Sequence, residues 1–205
     1  MAEQTDFHVP KCDEFRRGYE KYNQLERLGP IYFEALQIVS GNWGNPTAMA
    51  SGIERLIRAW NRFYAHFDFS KLTDCINKNL ALLSELKPRH ISALSASDEA
   101  TIRSLFKDFF EALRRTNDLA GSAVSVAKAL SPLATHFLPL WDSNIALAYD
   151  CFYLADSADA PYIDFCKKMK LLAGKVADCV PIPDDRSLLK RIDEYNYSKY
   201  TRHWI

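Results

Sequence analysis

Apolar residues recur every three or four positions along nearly the whole chain, and that period confines it to a helical fold. Between Pro46 and Phe67 one wide stripe carries Ile53, Leu56, Ile57, Trp60, Phe63, Tyr64 and Phe67, while Glu54, Arg55, Arg58 and Arg62 lie largely elsewhere. This pattern predicts a helix, with Pro46 suited to its first position. Phe15, Tyr19, Tyr22 and Leu25 mark another from Asp13 to Leu28, stopped by Gly29-Pro30, and a short helix follows from Ile31 to Val39. A helix from about Lys71 to Leu86 ends before Pro88, because the residue ahead of a proline avoids helical geometry. Ser95 or Ser97 can cap the helix of Ile102, Leu105, Phe106, Phe109 and Leu113, which runs to about Arg115. Short β-branched runs such as Ala123 to Val126 fall inside helical patterns, so little strand is expected. A chain of 205 residues, 48% hydrophobic, buries one substantial core. The expectation is a single-domain, all-α helical bundle over residues 1–205, with the first ten as a loose arm.

Charge and cysteines narrow the setting. The 26 cationic side chains are balanced by 26 acidic ones, so no global basic field draws the protein onto nucleic acid, and any such site must be a local patch. The short cationic blocks (Lys167, Lys168 and Lys170; Lys190 and Arg191; Arg114 and Arg115) read equally as solvated helix faces. Cys12, Cys75, Cys151, Cys166 and Cys179 are scattered and odd in number, which reads as reduced thiols. The first residues lack the basic start and apolar run of a secretory signal, and no apolar stretch nears the ~20 residues that span a bilayer. A cytosolic protein, a monomer without membrane contact, is expected.

Residues 119–150 carry the chemistry. They run as a small-residue turn at Gly121-Ser122-Ala123, a short helix ending at Pro132, a loop through Pro139, and Asp142 at the start of a further helix. This order resembles the helix-hairpin-helix DNA glycosylase superfamily, in which a Leu-x-Gly-x-Gly hairpin leads through a proline-containing loop to an Asp. Gly121 matches the first hairpin glycine and Ala127 the small packing position, while Ala123 replaces the second glycine. Ser125 stands where members with lyase activity carry their attacking lysine, and Lys128 follows nearly one turn later.

The resemblance implies a fold and a reaction: a glycosylase-like bundle that cuts the N-glycosidic bond of a damaged or modified base extruded from DNA. A bulky hypermodified base of the kind phage DNA carries is one substrate it leaves open. Main-chain amides near Gly121, Ser122, Ala123 and Ser125 would meet a phosphate. Asp142, if ionised, would stabilise positive charge as the base leaves and orient or activate water. Asp-Ser-Asn is also an ordinary helix cap. Lys128 serves as a Schiff-base nucleophile only if desolvated, whereas a helical lysine among alanines ordinarily faces solvent, so a monofunctional enzyme is expected.

Stacking faces and polar edges for an extruded base point to Trp43, Trp60, Asn61, Tyr64, Trp141, Asn144 and Tyr149, each with a core or surface alternative. No closely spaced cysteine cluster or His-x-x-x-His pair is present, so neither metal nor other cofactor is expected. From Asp184 to Ile205, Arg186, Lys190, Arg191, Lys199 and Arg202 alternate with Tyr195, Tyr197, Tyr200 and Trp204, either to touch a distorted nucleic acid or to dock a terminal helix. Two other readings stand beside the glycosylase. One is an N-glycosidase for a free nucleoside or nucleotide, which suits zero net charge. The other is a non-catalytic helical binding protein, which predicts no buried polar pocket beside Asp142.

Overall fold

Most helices begin at side-chain caps written into the sequence. Asn45, Asp68, Ser122, Asp142 and Ser187 each accept a hydrogen bond from a backbone N–H of the turn that follows, satisfying donors with no partner inside the helix. The computed structural model describes residues 6–154, 157–179 and 186–205. These contain α1 (Cys12–Leu25), α2 (Gly29–Gly41), α3 (Pro46–Trp60), α4 (Phe69–Leu86), α5 (Glu99–Ala112), α6 (Ala123–Leu130), α7 (Ser143–Ala148), α8 (Asp159–Val176) and α9 (Leu188–Asn196). Among the described residues the only β-pairing is an isolated bridge between Phe67 and Arg115, so the all-α expectation holds. No described helix is long and apolar enough to cross a membrane.

The apolar stripes direct the packing. α2 lies on α3, α3 on α4, and α4 on α5, while α5 also meets α6 and α8. Seven of the eight α6 residues are buried, and small side chains at Ala123, Ser125, Ala127 and Ala129 let neighbouring helices approach it closely. The two ends of the chain meet where α1 packs against α9. Cys12 and Cys179, 167 residues apart, form a disulfide, which corrects the expectation that all five cysteines are reduced; Cys75, Cys151 and Cys166 are buried thiols.

Several boundaries differ from the sequence expectation. Gly29-Pro30 opens α2 rather than closing the preceding helix, because Pro is tolerated in the first turn. α3 stops at Trp60, Arg62–Tyr64 form a 3-10 turn, and Phe67 belongs to the bridge, so the aromatic run outlasted the helix that began it. The arm is docked where described: Phe7 packs on Tyr149 at 5.2 Å and His8 bonds Glu14. Residues 1–5 of that arm, and Asp184 at the start of the cationic C-terminal stretch, lie outside the described residues.

Candidate active site

Trp141 fixes the loop ahead of α7. Its ring is buried, Nε1 donates to the Ala123 carbonyl at 3.3 Å, and it stacks on Tyr153 with centroids 4.9 Å apart. The next residue, Asp142, therefore leaves a rigid support. Its Oδ1 accepts from Ile145 N at 2.8 Å, which is the cap, and its Oδ2 accepts from Thr201 Oγ1 at 2.7 Å. An ionised carboxylate has further lone pairs after two such bonds, so capping does not exhaust it.

Asp142 and Trp141 open onto a cavity of about 140 Å³ where the main core meets a smaller cluster of Tyr32, Ala35, Leu56 and Leu140. α1 and the chain after it contribute Tyr22, Glu26 and Leu28; the end of α3 contributes Ala59 and Trp60; α6 contributes Lys128. Leu140 and Ile145 flank Asp142, and the C-terminal segment closes the space with Asp193, Tyr197 and Arg202. Tyr197–Thr201 form a π-helical turn, a widened geometry often found at functional sites, which places Tyr197 and Arg202 on the cavity and Thr201 on Asp142.

Lys128 departs most from expectation. Instead of facing solvent it is only 8% exposed, and its Nζ donates to the Trp60 carbonyl at 2.8 Å. Burial lowers its pKa to about 8, even though the charges of Asp142 and Asp193 pull the other way. Behind it, Lys190 is enclosed by the rings of Tyr22, Tyr32 and Trp60, with Nζ 4.5, 5.0 and 5.2 Å from their centroids. Its ammonium lies 2.6 Å from Asp193 Oδ2. Burial works against that charge, but Asp193, Tyr22 and Glu194 outweigh it and raise the Lys190 pKa. The pocket thus holds one amine that ionises near neutrality, with a cation fixed in the charged state behind its wall.

Of the residues singled out in the sequence for substrate, Trp60 and Trp141 line the cavity, as do Asp142 and Lys128. Asn61 stands behind the wall and donates to Ser122 Oγ at 3.0 Å and Ser125 Oγ at 2.8 Å, tying the end of α3 to the start of α6. Tyr149 is fully buried and donates to Asn196, which makes it core. Trp43 bonds Ser84 and lies against Lys87; Tyr64 packs against Phe63; Asn144 is exposed on α7, and none of these three lines the cavity. Gly121, Ser122, Ala123 and Ser125 are all buried, the last completely. The side chains there serve packing and capping, and Leu119, Ala120 and Val124 are the neighbours that reach the surface.

Sequence reasoning did not single out Tyr22, Glu26 and Asp193 as site residues, since nothing local marks them: they reach the cavity through the packing of α1 on α9. Compared with known proteins, the chain matches no family model, no curated protein and no solved structure.

Proposed function

We propose that this pocket cleaves the N-glycosidic bond of a base extruded from DNA, with Asp142 and Lys128 as the reacting groups. The observation that carries the reading is the convergence of a carboxylate and a desolvated amine in one cavity between two tryptophans. Trp60 and Trp141 give the cavity an aromatic wall for a flat heterocycle, although one face of Trp60 is taken by Tyr32 and one of Trp141 by Tyr153. A volume of about 140 Å³ suits one small ring system; ordinary ligand pockets run to roughly 300–1,000 Å³. A bulky hypermodified base would leave its substituent outside.

The chemistry follows from charge. As the bond to the base stretches, positive charge grows on the anomeric carbon, and the Asp142 carboxylate stabilises it. A neutral Lys128 amine can then form a bond to that carbon while the base leaves with the glycosidic electron pair and takes a proton from solvent; the amine gives up one proton to solvent, its nitrogen lone pair breaks the bond to the ring oxygen, and that oxygen takes a proton to leave an opened sugar held as a protonated imine. A pKa near 8 leaves roughly a tenth of the amine neutral at pH 7, far more than an ordinary lysine offers. The burial of Lys128 thus favours the covalent route over the water route expected from the sequence. A polar pocket beside Asp142 is also what a non-catalytic binding protein would lack. The free-nucleoside reading keeps the same pocket and rests on zero net charge.

The test is incubation with duplexes carrying different modified bases, followed by alkali to reveal abasic sites and by borohydride to trap an imine. Asp142→Asn keeps a capping oxygen, so it should stay folded and lose at least about two orders of magnitude in base release. Wild type should be trapped and Lys128→Ala should not. Base release without trapping would return the reaction to water, and full activity in Asp142→Asn would remove Asp142 from the chemistry.

A further inference from the structure

The base-pocket reading leaves one group without a task. Glu26 lines the cavity, and its side chain is only 8% exposed. Oε1 accepts from Leu28 N at 2.9 Å, but Oε2 is buried and no group among the described residues donates a hydrogen bond to it. Arg202 Nη2 stands 3.6 Å away, too far for a hydrogen bond, on a side chain that is half exposed. The Tyr197 hydroxyl approaches the carboxylate without reaching hydrogen-bond geometry at Oε2; burial first, then the charge and hydrogen-bonding proximity of Glu26, push that hydroxyl up to about 12, so it stays neutral. A buried carboxylate oxygen without a donor is costly, and such groups in folded proteins ordinarily have an external partner.

We infer, on the basis of that reading, that Glu26 selects the base: Oε2 accepts a hydrogen bond from an exocyclic amino group, so the pocket takes amino-bearing rather than oxo-bearing bases. The selectivity comes from repulsion as much as attraction. An amino group brings a donor to Oε2, whereas a carbonyl in the same place sets an oxygen lone pair against an anionic oxygen. A ring imino N–H flanked by two carbonyls, as in uracil or thymine, meets the same repulsion on either side. Arg202, beside Glu26 and half exposed, supplies the complementary donor to a neighbouring ring nitrogen or carbonyl.

The test needs no catalysis. Binding of the free bases adenine and cytosine, and of their oxo counterparts hypoxanthine and uracil, is followed by quenching of tryptophan fluorescence, since Trp60 and Trp141 wall the cavity. The amino bases should bind the wild type roughly 10- to 100-fold more tightly, the range of one charge-assisted hydrogen bond. In Glu26→Gln, whose amide can donate as well as accept, that preference should flatten. Equal affinity for amino and oxo bases in the wild type would overturn the role of Glu26 while leaving a base pocket in place. No quenching by any base at millimolar concentration would overturn the base pocket and this inference together. The wild-type ratio decides the matter even if Glu26→Gln fails to fold.

Discussion

A single lysine shows how far burial can revise a sequence reading. Lys128 follows Ala127 and precedes Ala129, a context that reads as a solvated position on a short helix, yet the helix is enclosed on nearly all sides. No local pattern announces this, because α6 becomes central only when α3 and α5 close over it. The cost is measurable. Lys128 ionises at about 8 in the folded chain and near 10.4 when unfolded, so between those values the unfolded state binds more protons and stability rises with pH. Below about pH 8 the full penalty is present, on the order of 3 kcal/mol. Lys128→Met should therefore melt higher than wild type at pH 7, less the loss of one hydrogen bond to Trp60, and the gap should close as pH approaches 10. Paired thermal melts across this range measure the difference; a gap independent of pH would mean that the lysine is solvated after all.

At the scale of elements, starts were easier to read than ends. Asp142 begins α7 and Pro46 begins α3 as the sequence suggests, since a cap is a property of one or two residues. The end of α3 was hidden because Phe63, Tyr64 and Phe67 continue the helical spacing, although Asn61 has already left helical geometry, with φ at −146°, and reaches Ser122 and Ser125. The hairpin ahead of α6 was legible as a small-residue turn, but its reason was not. Gly121 does not need a left-handed backbone; an added Cβ would come within 2.1 Å of the Phe110 ring, so the position is small because α5 packs on it. A large charged residue at Gly121 would therefore disrupt the fold rather than only a surface contact. Gly121→Ala should lower stability by roughly 1–3 kcal/mol, the usual cost of overpacking. Chemical denaturation with an unchanged slope would measure it, and a neutral result would show that Phe110 swings aside.

For the molecule as a whole, zero net charge bears most directly on DNA. The cationic blocks visible in the sequence are already engaged: Lys190 and Arg191 are buried against Asp193 and Glu194, Arg115 pairs with Asp118 and Arg114 with Glu111. Lys167 pairs with Glu99, while Lys168 and Lys170 donate to the carbonyls of Tyr149 and Leu94. These three blocks therefore offer no ready-made basic patch to displace counterions from a duplex. What the hairpin side offers instead is apolar: Leu119 is 62% and Phe63 67% exposed around the turn at Arg115, whose guanidinium lies over the Phe63 ring at 4.2 Å. Contacts of that kind, with main-chain amides, release little salt. If the protein acts on DNA, log affinity should fall only gently with log salt, with a slope equivalent to roughly two to five phosphate contacts. Fluorescence anisotropy with a labelled duplex at several salt concentrations gives that slope. A value near that of strongly basic binders would mean that the ion pairs open on contact to free their cations. No binding at low salt, with the pocket still taking free bases, would move the same chemistry from DNA to a nucleoside.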